Sequence, residues 1–89
     1  MSEASKVWRV DVDGREHEVE VDHSTMTGKI RLKLDGEEIA DDRLWLAEKP
    51  VEFEIAGRPA VVTVEYAYGG FAARSEMHFE GRYVEPLKG

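Results

Sequence analysis

The dipeptides Asp13-Gly14, Asp35-Gly36 and Glu80-Gly81 each stand between two runs in which apolar and polar residues alternate. Ala56-Gly57 and Gly69-Gly70 occupy the same kind of position, giving five candidate two-residue hairpin turns in 89 residues. A tight turn of this type needs positive φ at its centre, which Gly adopts freely and Asp or Asn at low cost. Once the turn is placed, the register of the flanking strands follows. No apolar pattern of helical spacing extends over ten residues. The chain is expected to be all-β.

The turns define two meanders. Strands over 6–12 and 15–22, joined at Asp13-Gly14, set Val10 opposite His17, Trp8 opposite Val19 and Arg9 opposite Glu18. A third strand over 29–34 is expected to set Val21 opposite Ile30, Glu20 opposite Arg31 and Glu18 opposite Lys33. Asp35-Gly36 then brings Lys33 to Glu38 and Leu32 to Ile39. Arg9, Glu18, Lys33 and Glu38 would share one solvent-facing row, with Trp8, Val19, Leu32 and Ile39 behind it on the core side.

In the second half, Ala56-Gly57 pairs Phe53 with Ala60 and Val51 with Val62. Gly69-Gly70 pairs Tyr68 with Phe71, Glu65 with Arg74 and Val62 with Met77. Glu80-Gly81 pairs Met77 with Val84 and His78 with Tyr83. Residues 41–49 cross between the halves, carrying Leu44, Trp45 and Leu46. The expected fold is a small antiparallel β-sandwich of two sequential, non-interleaved hairpin meanders with about 7–8 strands, and a small closed β-barrel is the alternative. A single domain is expected over 6–86, with a disordered tail at 1–5 and a C-terminal tail at 87–89.

Charge and composition exclude several functions. A net charge of −7 opposes nucleic acid and anionic membrane surfaces, both of which need a clustered positive field. The absence of cysteine removes disulfides, thiol nucleophiles and thiolate metal sites. No apolar run is long enough to span a bilayer, and Met1-Ser-Glu-Ala-Ser does not read as a secretion signal, so a cytoplasmic location is expected.

The residues offer little catalytic chemistry. His17 lies in the apolar phase, where it needs a hydrogen-bond partner; His23 opens the loop to Gly28, and His78 faces outward. None forms a spaced ligand pair, so no metal and no cofactor are expected. Glu16, Glu18 and Glu20 read as a solvated strand face, not an acid–base pair. No serine has a nucleophile-elbow setting, and Gly69-Gly70 opens a strand, not a phosphate-binding helix. No catalytic residues are assigned. Trp45 on the crossover and the outward pair His78 and Tyr83, beside Val61, are the candidate partner-binding anchors. A small-molecule or carbohydrate-binding β-sandwich module is the alternative reading.

Several stretches together resemble a known family. They are Val7-Trp8-Arg-Val-Asp-Val, Asp13-Gly14 through His23, Thr25-Met-Thr-Gly28-Lys29 and Leu34-Asp35-Gly36-Glu-Glu-Ile39. Leu44-Trp45-Leu46, Val51 through Gly57 and Gly70-Phe71 through Gly81 extend the likeness from Val7 to about Glu85. The chain resembles the N-terminal domain of Fas apoptotic inhibitory molecule (FAIM) proteins, whose familiar members carry two such domains in tandem. The resemblance implies a sandwich of two sequential sheets. It also implies a non-enzymatic cytosolic protein-interaction domain, acting in apoptosis-type signalling or in suppressing aggregation, as a monomer or weak dimer with a protein partner.

Overall fold

The computed structural model describes residues 3–24, 29–43, 48–67 and 72–87. Eight strands follow one another: β1 (Glu3–Val12), β2 (Arg15–Ser24), β3 (Lys29–Leu34), β4 (Glu37–Arg43), β5 (Glu48–Ile55), β6 (Arg58–Ala67), β7 (Ala72–Phe79) and β8 (Arg82–Val84). They form two four-stranded antiparallel sheets, ordered β1-β2-β3-β4 and β5-β6-β7-β8. Every strand therefore pairs only with its neighbours in sequence. This is the expected sandwich of sequential meanders, and among the described residues no ladder joins the ends of a sheet into a barrel. There is no helix among the described residues, and so none long and apolar enough to cross a membrane.

The turns account for this order. Asp13, Asp35, Ala56 and Glu80 have φ of 53, 52, 52 and 51°, and the glycines that follow them have φ of 79 to 84°. Positive φ at both central positions is the type I′ pattern, whose twist matches that of the strands it joins. Gly69-Gly70 with Tyr68 and Phe71 lies outside the described residues, as do Leu44, Trp45 and Leu46.

Alternation then builds one core between the sheets. The first sheet supplies Trp8, Val10, Val12, Val19, Val21, Ile30 and Leu32; the second supplies Val51, Ile55, Ala60, Val62, Val64 and Met77. Each fully buried Val, Leu or Ile contributes roughly 1.5–3 kcal/mol, so this cluster is the main stabilising element. The expected pairings Val10–His17, Trp8–Val19, Phe53–Ala60, Val62–Met77 and His78–Tyr83 are all present.

Two expected registers are not formed. β3 lies two residues further along β2: Val21 faces Leu32, Glu20 faces Lys33 and His23 faces Ile30. A shift of two keeps the same side chains inward, because side chains alternate with period two. The observed ladder carries its inward rows two residues further along β2, drawing His23 out of the expected loop to face Ile30 in the core, where it is 3% exposed. It also brings the β3–β4 turn against β2. Asp35 N–H donates to Glu18 O (2.7 Å), Glu18 N–H donates to Asp35 Oδ1 (2.8 Å), and His17 Nδ1 donates to Asp35 Oδ2 (2.8 Å). His17 thereby finds the partner its position requires.

The second correction is a β-bulge. Lys33 faces Glu38 as expected, but Leu32 faces Ala40, leaving Ile39 as the extra residue of β4. Ile39 is consequently 40% exposed and is not a core residue. The bulge places Asp41 opposite Arg31 and within 3.5 Å of Lys29, while Arg31 reaches Glu38 at 3.6 Å. The shift of β3 along β2, not the bulge, splits the outer row of four expected charges between two rows, with Arg9 facing Glu18 and Lys33 set between Glu20 and Glu38.

Three contacts join the sheets at their margins. Lys6 Nζ donates to Ser75 O (3.0 Å). The Arg58 guanidinium reaches Asp13 (3.3 Å) and Glu80 (3.4 Å), linking hairpin turns from both sheets. Leu87 N–H donates to Val7 O (2.7 Å), laying the C-terminal segment on the edge of β1. β1 itself starts at Glu3, ahead of the strand start expected at Lys6.

Candidate functional site

The second sheet presents its outward phase to solvent. Val51, Ile55, Ala60, Val62, Val64 and Met77 point inward and are buried, so the intervening residues must point out. The ladders line up Glu52, Val61, His78 and Tyr83 across β5 to β8 in a single row. Its centre is apolar and aromatic, and one end is a carboxylate.

His78 and Tyr83 are in contact. Their ring centroids are 5.8 Å apart with planes at 69°, an edge-to-face arrangement that fixes the orientation of both rings. Tyr83 nonetheless remains 56% exposed. Beside the pair runs an open groove of about 260 Å³, lined by Glu52, Pro59, Ala60, Val61, His78 and Gly81. Pro59 can stand here because it is the second residue of β6, before the ladder to β7 begins at Ala60. Its carbonyl still accepts from Glu80 N–H (2.9 Å), while its missing N–H breaks no bond to β7. Gly81, required by the φ of 81° in the last turn, leaves that end of the groove without a side chain.

Two of the three expected anchors, His78 and Tyr83, therefore come together, and Trp45 lies outside the described residues. The groove walls Pro59, Glu52 and Gly81 were not singled out from the sequence. The signal was available in the register, which sets Glu52 opposite Val61 and Val61 opposite His78.

The other two histidines serve elsewhere. The Asp35 carboxyl is held below its usual range, first by the Glu18 N–H and then by the His17 ring. It is thus ionised and acceptor-only at neutral pH, which assigns the proton of the short contact to His17 Nδ1. This pair locks a turn. Burial lowers the pKa of His23, favouring its neutral form between the sheets. Among the described residues no group of three or more His, Asp or Glu is placed to hold a metal ion. The Trp8 indole Nε1 is buried without a hydrogen-bond partner among the described residues.

A comparison with curated proteins finds no match. The family model described as Fas apoptotic inhibitory molecule (FAIM1) matches residues 4–87, nearly the whole chain. That span contains both sheets, all four described turns and the groove, and on it the chain belongs to the Fas apoptotic inhibitory molecule family.

Proposed function

We propose that this chain is a non-enzymatic protein-interaction domain that engages a protein partner through the outer face of its second sheet. The observation that carries the reading is Tyr83, a large ring 56% exposed and in edge-to-face contact with His78, which lines an open groove. A pre-oriented, exposed aromatic loses little conformational freedom on binding, which is why such residues recur as interface hot spots. The groove favours a protein over a small ligand. At about 260 Å³ and open along its length, it falls below the roughly 300–1,000 Å³ of sites that enclose a small molecule. The family's description supports a role in apoptosis-type signalling; suppression of aggregation, a cytosolic setting and a monomer or weak dimer are parts of the proposal itself.

Site-specific photo-crosslinking tests this. A benzophenone amino acid at Tyr83 should yield discrete adducts with a small set of proteins in native cytosol. The same probe at Glu18, on the outer face of the first sheet, should not. Equal or absent adducts at both positions would refute the assignment of the surface.

A further inference from the structure

Both outer faces of the sandwich carry more carboxylates than cations, and the second sets its carboxylates around an aromatic strip. On the first sheet three cations meet carboxylates of neighbouring strands, Arg9 with Glu18 (3.9 Å), Lys29 with Asp41 (3.5 Å) and Arg31 with Glu38 (3.6 Å), while Asp11, Glu16, Glu20 and Asp22 enter no ion pair among the described residues. On the second sheet the outward phase of β5, β6 and β7 carries Glu52, Glu54, Glu65 and Glu76 against one guanidinium, Arg74. Arg74 is held by Glu65, with Nη2 at 2.7 Å and Nε at 3.1 Å from the same oxygen. Glu52, Glu54 and Glu76 are exposed, and among the described residues no cation forms an ion pair with any of them. Arg58 is turned toward Asp13 and Glu80. Arg82 stands in the opposite phase to Tyr83, across from Phe79.

The uncompensated carboxylates surround the aromatic strip. Glu52 lines the groove with His78, and Glu54 stands opposite Pro59. Glu76 is two residues from His78 on the same strand face. A concave apolar strip rimmed by one sign of charge selects for the opposite sign, both by steering the encounter and by excluding like-charged partners. Exposed aromatic rings add to the same preference, since a ring face attracts a cation.

We infer that the partner segment recognised here is cationic: a stretch of protein carrying arginine or lysine, its aliphatic stems along Val61 and Pro59 and its charged heads at Glu52, Glu76 and the Tyr83 ring. This rests on the interaction reading above and adds the chemistry of the partner to it. Arginine suits the site well, because its guanidinium can stack on Tyr83 while donating to a carboxylate. An anionic segment would meet net repulsion from Glu52, Glu54 and Glu76 at the rim.

The test is a titration followed by two-dimensional amide NMR. The probes are a short peptide bearing arginine and valine and two counterparts in which glutamine or glutamate replaces the arginine. The arginine peptide should shift Glu52, Val61, His78 and Tyr83 and leave the outer face of the first sheet unmoved. Tyr83→Ala should weaken binding about threefold, and Glu52→Gln with Glu76→Gln about three- to tenfold, with further loss as salt is raised. All these positions are exposed or at the surface, so unchanged thermal midpoints will show that the variants remain folded. A glutamine peptide that binds as tightly overturns the cationic partner while leaving the surface assignment standing. An arginine peptide that settles on Glu16, Glu18 and Glu20 of the first sheet overturns it too. No shift with any peptide also overturns it, and the Tyr83 crosslink then decides separately whether the interaction reading survives.

Discussion

Replacing Asp35 with Asn should weaken the fold, and the structure allows the size of the effect to be worked out. Asp35 uses both carboxylate oxygens, Oδ1 for the Glu18 N–H and Oδ2 for His17 Nδ1, each at 2.8 Å. Asn has only one oxygen. If that oxygen stays with Glu18, the amide NH₂ is turned toward His17 Nδ1, where a bond forms only once the ring proton has moved to Nε2. Both contacts then lose the carboxylate charge. Hydrogen bonds to charged groups contribute about 1.5–3 kcal/mol and neutral ones about 1 kcal/mol. The Asp35 side chain is 48% exposed, so water replaces part of what is lost, and we expect a net cost of about 1–1.5 kcal/mol. Asn accepts the φ of 52° as readily as Asp, so the backbone term cancels.

For a domain of this size that cost corresponds to a fall in thermal midpoint of roughly 4–10 °C. Urea unfolding followed by tryptophan fluorescence should show a lower midpoint with an unchanged slope. The pH dependence gives an independent check. Because the folded-state pKa of Asp35 lies below its ordinary value of 3.8, its stabilisation is complete above that value. It disappears as pH falls from there through the depressed folded value. The gap between Asp35→Asn and the parent should therefore close under acid. Equal stability at neutral pH, or a gap that persists undiminished at the acid end, would refute the reasoning.

Three further outcomes are expected. The pKa of His23 is depressed by burial below its ordinary value of 6.5, so the parent protein should lose stability as pH falls from 6.5 toward the folded-state value, and His23→Phe should flatten that limb in pH-dependent urea melts. Ala56 holds a φ of 52° at an exposed turn position, and Ala56→Asn should raise stability by about 1 kcal/mol with no change in urea slope. Leu32 is 1% exposed and Ile39 40%, so Leu32→Ala should cost about 2–5 kcal/mol and Ile39→Ala less than about 1 kcal/mol; equal costs in calorimetry would remove the bulge.

The fold was legible wherever a turn fixed the register locally. Asp13-Gly14, Ala56-Gly57 and Glu80-Gly81 each set a ladder that the structure reproduces residue for residue. The β2–β3 ladder had no such turn. Both the expected and the observed registers keep Val19, Val21, Ile30 and Leu32 inward, and both set opposite charges face to face. Hydrophobic phase and charge pairing cannot separate two registers that differ by two residues. The discriminating features, a core row at His23 in place of one at His17 and the Asp35 contact to Glu18, become visible only in three dimensions. The bulge was hidden for a related reason, since Ile39 reads as a core residue until Ala40 takes its place. At the candidate site, the His78–Tyr83 pair followed from the last turn, whereas the groove depends on the heights of Pro59 and Gly81, which a pattern of alternation does not encode.

That no strand crosses from one sheet to the other bears on how the chain reaches its native state. Each pairing within a sheet joins strands adjacent in sequence. Among the described turns the closure spans two residues, and its entropic cost is correspondingly small. Contact order within each half is therefore low for an all-β protein, which favours rapid formation of both ladders. The long-range closures, Lys6 with Ser75, Asp13 with Arg58 and Val7 with Leu87, belong to docking alone. Until docking, each half carries one bare apolar face that fits the complementary face of any copy of the chain. Slow synthesis of the second half, or a variant that delays it, lengthens the time in which such mispairing between chains competes with pairing within one.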